Sequence, residues 1–275
     1  MDGGWSDERV LEEAIMQPAV PVVYKFDYKT LPKFGVTVFC GRTESGKTSA
    51  LMEFFYRQRH EFDLVMVFCD SADDCMKYES LCPGAFVYEG FNVSALETLY
   101  AIQQANTRAG RKTRVLVILD DLAFDSKTMT CKMMKRLFCN GRHARIRTYL
   151  TLQDPKQIPP NMRKQVKHVV VAREKNPMER KRVFEAFNPL FATFGEFDRY
   201  MRYCTQDYKQ MVMYMFQGSS DRVEDNVFWV KPKYPWRKFR CPSRRSHAWC
   251  IRNVASNFSS KDRVVLRPNP LLKRR

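Results

Sequence analysis

A glycine-rich loop near the amino terminus carries the residue types that hold phosphate groups. Residues 40–51 read CGRTESGKTSAL and satisfy the phosphate-loop pattern G-x-x-x-x-G-K-[ST] at Gly41, Gly46, Lys47 and Thr48. The glycines let backbone N–H groups turn toward a β-phosphate, Lys47 neutralises phosphate oxygens, and Thr48 Oγ1 can bind Mg²⁺. The sequence therefore predicts ATP and Mg²⁺ as cofactors, with a nucleotide loop made of Gly41, Arg42, Thr43, Glu44, Ser45, Gly46, Lys47, Thr48 and Ser49.

The flanking residues separate this site from an ordinary Gly/Ser turn. An apolar, β-branched run at 35–40 (GVTVFC) predicts a buried strand, and residues 49–58 (SALMEFFYRQ) predict a helix. A phosphate site needs this order of strand, loop and helix, because the helix adds the positive end of its dipole. An acid inside the loop, Glu44, would repel phosphate, so we expect its side chain to face solvent or pair with Arg42.

Two adjacent acids follow the next strongly apolar run. Residues 114–125 (RVLVILDDLAFD) predict a strand that ends at Asp120 and Asp121. In phosphate-loop enzymes an acid at such a strand end helps to hold Mg²⁺, and a neighbouring acid can polarise the attacking water. We therefore assign Asp120 to the metal, with Thr48, and Asp121 to general-base catalysis. Alone, the pair could equally be turn or helix-capping acids.

A third element predicts a sensor of the nucleotide. Residues 146–153 (IRTYLTLQ) alternate like a strand, and we expect this strand to lie between the loop strand and the acid strand. Its last residue, Gln153, could touch both the γ-phosphate and the attacking water. The alternative is a polar residue that only caps a turn.

The remaining patterns predict an α/β fold with a mostly parallel central sheet flanked by helices. Strands at 63–69 and 86–91 alternate with helices, a strand at 167–173 is expected to be the last of the core, and residues 211–216 and 226–230 suggest two more strands. The phenylalanines between these regions are expected in the core or a subunit interface: Phe184, Phe187, Phe191 and Phe194. The predicted division is an arm (1–23), an ATPase core (24–217) and a basic strand and tail region (218–275).

Positive charge is concentrated at the carboxyl terminus. Residues 231–275 contain 14 Lys or Arg and one acid, Asp262, and so carry +13 of the net charge of +17. This charge alternates with aromatic residues, namely Tyr234, Trp236, Phe239, Trp249 and Phe258, an arrangement suited to phosphate contact and base stacking. It predicts nucleic-acid binding through Arg237, Lys238, Arg240, Arg244 and Arg245. The alternatives are a solvated tail or a nuclear-import signal.

Cysteine content and hydropathy indicate an intracellular setting. Nine cysteines are scattered singly, which favours a reducing compartment over a disulfide framework. Cys241, His247 and Cys250 come near zinc-ligand spacing, but a fourth ligand is missing. No apolar run approaches the roughly 18 residues of a membrane span, and the acidic amino terminus does not resemble a signal peptide.

Five segments, taken in order, closely resemble one family. They are GRTESGKT, VILDDL, NGRHARIRTYLTLQ, IPPNMRKQVKHVVVAR and NVFWVKP, and they resemble the genome-packaging ATPases of large DNA viruses, the poxvirus-type branch of the FtsK/HerA superfamily. The similarity spans residues 24–232. It implies an additional-strand (ASCE) P-loop NTPase that forms a homo-oligomeric ring and pumps double-stranded DNA into a preformed capsid. Capsid or portal vertex proteins would be partners, and the location would be the infected host cell, in the cytoplasmic virus factory or nucleus, and the virion.

The same resemblance implies a role for Arg142. In ring translocases an arginine just before the sensor strand reaches into the neighbouring subunit's site, and Arg142 matches that position. A planar guanidinium suits the charge that develops on the γ-phosphoryl oxygens. The alternatives for this finger are Arg145, Arg163 and Arg42, whereas His143 is expected to be structural.

Two other function classes remain open at this stage. A nucleotide-switched assembly protein would bind ATP and capsid partners with little motor activity. A small-molecule kinase would keep the phosphate loop, but it would not need Gln153 on an inserted strand or a strongly basic tail. We therefore expect an ATP-driven packaging motor.

Overall fold

Nine strands form the centre of the part of the chain that the computed structural model describes, which is residues 21–122, 126–188, 190–215 and 220–242. In chain order they are β1 Tyr24–Lys25, β2 Gly35–Cys40, β3 Leu64–Cys69, β4 Val87–Glu89, β5 Val115–Asp120, β6 Ile146–Leu152, β7 Val166–Val171, β8 Gln210–Tyr214 and β9 Val227–Val230. Strands β2 to β9 agree with the strands expected from the sequence to within a few residues, whereas β1 was not predicted.

The same ranges contain eight α-helices. They are α1 Lys47–Gln58, α2 Ala72–Glu79, α3 Val93–Arg108, α4 Ser126–Thr130, α5 Lys132–Asn140, α6 Pro160–Arg163, α7 Pro177–Ala186 and α8 Phe194–Cys204. Helices α4 and α5 are separate because Cys131 leaves the helical conformation and its Sγ accepts the Met134 N–H at 3.4 Å. A side-chain acceptor at this position begins a new helix.

All nine strands belong to one sheet, in the order β1-β9-β8-β7-β2-β6-β5-β3-β4. The six strands from β7 to β4 in this order are parallel, whereas β8 is antiparallel to both β7 and β9. The position of β6 between the loop strand β2 and the acid strand β5 confirms the predicted insertion. The strand β7 is not the last of the sheet, because β8 and β9 follow it, and β9 lies in the predicted strand and tail region 218–275.

Helices cover both faces of the sheet. In β3, Val65, Val67 and Cys69 pack with α1 and α2, while the alternate residues Leu64, Met66 and Phe68 pack with the helices of the opposite face. Every residue of β3, β5 and β6 is buried, since a parallel sheet is covered on both sides, and this burial explains the continuous apolar runs of β3 and β5. The carboxyl ends of the parallel strands therefore meet at one edge, here called the carboxyl edge.

The phenylalanines after β7 lie in the core of this chain. Phe187 and Phe191 are buried, and the Phe184 ring lies 5.8 Å from Phe194 and 5.6 Å from Phe197 between ring centroids. They come from two helices, α7 and α8, and from the connection between them, so one continuous helical stripe is not formed. The core interpretation is confirmed.

Residues 231–242, here called the basic segment, pack against α1. The Phe239 ring lies 4.8 Å from Phe55, and Cys241 is buried, with its N–H donating to the Leu81 carbonyl at 2.9 Å. Phe239 therefore packs on the core of this chain, and stacking of its ring on nucleic-acid bases stays a prediction. Tyr234, by contrast, is 77% exposed.

Several predicted features fall partly or wholly outside the described residues. Arg244, Arg245, Trp249 and Phe258 of the basic tail lie there, as do His247 and Cys250 of the possible zinc set and residues 1–20 of the predicted arm. Within the described ranges, no group of three or more His, Cys, Asp or Glu side chains could hold a metal ion. Nor does any helix in those ranges have the length and apolar character needed to cross a membrane.

Candidate nucleotide site

The phosphate loop lies at the carboxyl edge, between the end of β2 and the start of α1. Gly46 precedes α1 with a φ of 89°, and no side chain caps the first N–H groups of the helix. Those N–H groups are the donors that a helix start offers to an anion. A Cβ on Gly41 would lie 2.8 Å from the Ala172 Cβ and 2.6 Å from Ser45 Oγ, so only glycine fits there. The loop geometry agrees with its predicted role.

Lys47 joins the loop to the acid strand. Its side chain is only 5% exposed, and its Nζ lies 3.3 Å from Asp121 Oδ1. A buried ammonium group needs a charged partner, because loss of hydration is costly. The structure therefore brings the two predicted halves of the site, about seventy residues apart in the chain, into direct contact.

Asp120 is the last residue of β5 and is buried, with 4% exposure. Its Oδ1 accepts a hydrogen bond from Thr151 Oγ1 at 2.7 Å, and its Oδ2 accepts one from the Tyr78 hydroxyl at 2.8 Å. Burial raises the pKa of the Asp120 carboxyl, while these two hydrogen bonds oppose the rise.

These contacts fit a magnesium carboxylate. Each carboxylate oxygen has two lone pairs, so both oxygens of Asp120 keep one after the bonds from Thr151 and Tyr78. Oxygen donors are what Mg²⁺ prefers, and Lys47 pairs with Asp121 rather than with Asp120. The donor chemistry of Asp120 and Thr48 therefore suits the metal assigned to them, and that assignment stays a prediction.

Asp121 has an unusual backbone conformation. Its φ is 55°, and its N–H donates to Thr151 Oγ1 at 2.7 Å. A non-glycine residue in the left-handed region carries strain that surrounding contacts must offset. Thr151 therefore holds both acids at once, since it donates to one and accepts from the other. Asp121 is 36% exposed at the carboxyl edge, where a water molecule can reach it, and its role as general base stays a prediction.

Gln153 follows β6 directly and reaches the same edge. The preceding residue, Leu152, accepts the Gly41 N–H through its carbonyl at 3.1 Å, which places the end of β6 beside the start of the loop. Gln153 is half-buried there. The structure brings Gln153 to the edge that holds Lys47 and Asp120, as the sensor hypothesis requires, and its contact with a γ-phosphate stays a prediction.

The two charged residues of the phosphate loop, Arg42 and Glu44, do not pair with each other. Glu44 is exposed with a φ of 61°, as expected for an acid that faces solvent. Arg42 pairs with Glu174 through Nε and Oε2 at 3.1 Å, so the alternative Arg42–Glu44 pair is not formed. The acid in the loop is therefore compatible with phosphate binding.

Arg142 lies at the opposite edge of the sheet. It is exposed in the turn that precedes β6, and its Nε donates to His143 Nε2 at 3.3 Å. The seven residues of β6 separate it from the carboxyl edge, a span of about 20 Å at the rise of a strand. Arg142 is thus too far away to act in the site of its own chain. Of the alternatives, Arg145 stacks over Phe34 at 5.3 Å, and Arg163 ends α6.

Three residues of the site belong to no recognised sequence motif. Gln210, the first residue of β8, is buried and donates through Nε2 to the Gly46 carbonyl at 2.8 Å. It reaches the loop because β8 runs antiparallel, so its first residue lies at the carboxyl edge. Tyr78 and Thr151 bind Asp120 from α2 and β6. Only Thr151 had a usable signal, since it lies two residues before Gln153 on a strand predicted to border the acid strand.

Sequence relatives occur in several large DNA viruses. Protein 075L of Invertebrate iridescent virus 6 is 25% identical over 201 residues, which are 73% of this chain and 76% of that protein. Protein L437 of Acanthamoeba polyphaga mimivirus is 23% identical over 218 residues, 75% of each chain.

Solved structures share the fold. The genome packaging NTPase B204 of Sulfolobus turreted icosahedral virus 2, in complex with AMPPCP, has a TM-score of 0.52 and 12% identity over 74% of this chain and 100% of that one. The pCW3 conjugation coupling protein TcpA has a TM-score of 0.51 and 12% identity over 81% of this chain and 68% of that one. These likenesses confirm the predicted P-loop α/β fold.

A family model covers the loop, both acids and the inserted strand together. The model for the poxvirus A32 protein matches residues 23–185, more than half of the chain. That range contains the phosphate loop, Asp120, Asp121, Thr151 and Gln153. The chain belongs to the poxvirus A32 protein family.

Proposed function

We propose that the chain is an ATP-hydrolysing motor that moves double-stranded viral DNA into a preformed capsid. The observation that carries this proposal is the contact between Lys47 and Asp121 at 3.3 Å, beside the buried Asp120 and at the end of the inserted strand β6. A strand between the loop strand and the acid strand places a polar residue next to both. This is the arrangement that a hydrolase coupled to conformational change needs.

The residues of the site divide the chemistry. The N–H groups at the start of α1 and the ammonium of Lys47 bind the phosphates, and Asp120 and Thr48 would hold Mg²⁺. The bound ion would supply neutralisation of the phosphate charge. Asp121 orients and deprotonates the attacking water, and Gln153 contacts that water. Lys47 pairs with Asp121 in this structure. A bound phosphate would compete with Asp121 for the Lys47 ammonium group, and the Asp121 carboxylate would then be free to act on water.

Two findings support the packaging role. The chain belongs to the poxvirus A32 protein family, and its fold is shared with a protein described as a genome packaging NTPase and solved with ATP analogues. The net charge of +17 favours a polyanionic substrate, because cations that neutralise phosphates bind DNA without reading its sequence. The ring, the capsid or portal partner and the location in the infected cell are parts of this proposal.

A ring accounts for the position of Arg142. An exposed arginine about 20 Å from its own phosphate loop can act only in a site of another chain. In the proposed head-to-tail ring, the end of the sheet that carries Arg142 in one subunit would face the carboxyl edge of the next subunit, and hydrolysis would then be coupled to the contact between subunits. Light scattering with a non-hydrolysable ATP analogue and duplex DNA is expected to detect this assembly, and a monomer in every condition would contradict it.

Hydrolysis of ATP with and without duplex DNA tests the proposal. We expect DNA to stimulate turnover at low salt, and we expect the stimulation to fall steeply across a salt series, because the contacts are to phosphates. Inorganic phosphate release is the measurement. A rate that DNA does not change at any salt concentration would favour a nucleotide-switched assembly protein instead. Transfer of phosphate to thymidine or shikimate would identify a small-molecule kinase.

A further inference from the structure

Tyr78 is a buried tyrosine that contacts the site but belongs to none of the recognised sequence motifs. It lies in the last turn of α2 with 0% exposure, and its ring belongs to the core that α1 and α2 form on one face of the sheet. Its hydroxyl donates to Asp120 Oδ2 at 2.8 Å. A hydroxyl in such a place needs a partner, and here the partner is the carboxylate assigned to magnesium.

The orientation of that carboxylate depends on two donors from different elements. Thr151 on β6 binds Oδ1, and Tyr78 on α2 binds Oδ2. A terminal carboxylate torsion is broad when it is free, so one donor would leave the group able to turn. Two donors on separate elements fix both oxygens and leave each one a lone pair.

The backbone of Tyr78 is itself held in place. The N–H groups of Leu81 and Cys82 donate to its carbonyl at 2.9 Å and 2.7 Å. The Leu81 carbonyl in turn accepts the N–H of Cys241 at 2.9 Å, which ties this turn to the basic segment. The tyrosine thus reaches Asp120 from a turn anchored on both sides.

We propose that Tyr78 is a positioning residue for the magnesium carboxylate, whose hydroxyl orients Asp120 so that the nucleotide binds together with its metal. This inference rests on the proposed Mg²⁺-ATP site. Partners of metal-holding groups commonly change metal affinity by about 10- to 100-fold when they are removed. Tyr78 does not touch the phosphates, so nucleotide binding without metal does not depend on it.

The test is the binding of a fluorescent, non-hydrolysable ATP analogue to the full chain, with Mg²⁺ and with EDTA. Tyr78→Phe is expected to raise the Mg²⁺ concentration at half-saturation about tenfold, while affinity in EDTA stays at the wild-type value. Tyr100→Phe is the matched control, because Tyr100 is also buried and donates its hydroxyl to the Asn140 carbonyl at 3.3 Å, away from the site. The control is expected to change neither value.

Equal Mg²⁺ dependence in Tyr78→Phe and Tyr100→Phe would overturn the role of Tyr78 and leave the site itself intact. A wild-type chain whose binding ignores Mg²⁺ would instead reject the site on which the inference rests. Should Tyr78→Phe melt far below the control, 3-fluorotyrosine at position 78 alone replaces it. Its ¹⁹F resonance is expected to move with Mg²⁺-ADP and not with ADP in EDTA, and an unmoved resonance also overturns the proposal.

Discussion

The carboxyl edge of the sheet and the basic segment hold their charged groups in opposite ways. At the edge, Lys47 and Asp120 are almost fully buried, and each has partners on other elements. In the basic segment, the cations are exposed while Phe239 and Cys241 attach the chain to the core. Buried charges need fixed geometry, whereas exposed cations stay hydrated and adaptable. The difference fits the proposed roles, in which the carboxyl edge binds one nucleotide and the basic segment contacts the phosphates of DNA without reading its sequence.

Replacing Lys47 is the strongest way to separate the two regions. Lys47→Ala removes the charge that neutralises the phosphates, so we expect turnover of ATP to fall about 10⁴-fold or more. DNA affinity, measured by fluorescence anisotropy, is expected to stay near the wild-type value because the basic segment is unchanged. Lys29→Ala, at an exposed lysine, is the control and should hydrolyse normally. Hydrolysis that survives in Lys47→Ala would place the nucleotide elsewhere.

Replacing Arg142 tests whether the end of the sheet opposite the carboxyl edge contributes to hydrolysis. Arg142→Ala is expected to lower turnover about 10³-fold by removing the guanidinium supplied to a neighbouring site. Mixing it with Lys47→Ala should restore part of the activity, because some interfaces then combine an intact Lys47 with an intact Arg142. Arg108→Ala, at an exposed arginine that ends α3, is the control. A mixture as inactive as its parts would argue against action between subunits.

Replacing Thr151 tests whether its two hydrogen bonds hold Asp120 and Asp121 in place. Thr151→Val removes the donor to Asp120 and the acceptor of the Asp121 N–H, with little change in shape. We expect turnover to fall about 10- to 100-fold and the free energy of unfolding to fall by about 1–3 kcal/mol.

A buried threonine on the neighbouring strand supplies the control for that change. Thr37 Oγ1 has no hydrogen-bond partner among the described residues, so Thr37→Val should leave turnover at the wild-type value and should not lower the free energy of unfolding. Urea denaturation and phosphate release measure the two effects. Equal behaviour of the two variants would show that Thr151 does not hold the acids.

The site residues of the carboxyl edge can be predicted from sequence where their types and spacing require one backbone conformation. The glycines, Lys47 and the acids at the end of β5 form such a pattern, and the alternation of 146–153 predicts β6. Gln210 and Tyr78 could not be found this way, because their contacts with Gly46 and Asp120 depend on the sheet order and on the direction of β8. Such long-range contacts leave no local spacing to recognise.

The basic segment shows the limit of composition as a guide. Its alternation of cations and aromatics suggests stacking on bases, yet Phe239 packs on Phe55 and Tyr56. Composition does not distinguish an aromatic residue that packs on the core from one that stacks on bases, because both roles need a flat apolar ring. The packing partner decides the difference, and it lies about 180 residues away in the chain.

The smallest expected effect on chemistry comes from the exposed cations of the basic segment. In a variant with Arg237→Gln, Lys238→Gln and Arg240→Gln, we expect ATP hydrolysis without DNA to be unchanged, because the segment packs on Phe55 and Tyr56 near the end of α1, away from the phosphate loop at its start. Arg237 binds the Tyr56 hydroxyl at 3.2 Å, so its share of DNA binding should be the smallest of the three. The salt dependence of DNA affinity should weaken, with the slope of log K against log salt falling by about 0.9 for each lost phosphate contact. Anisotropy over a salt series measures the slope. An unchanged slope would show that DNA is held by other cations, such as Arg244 and Arg245 of the predicted set.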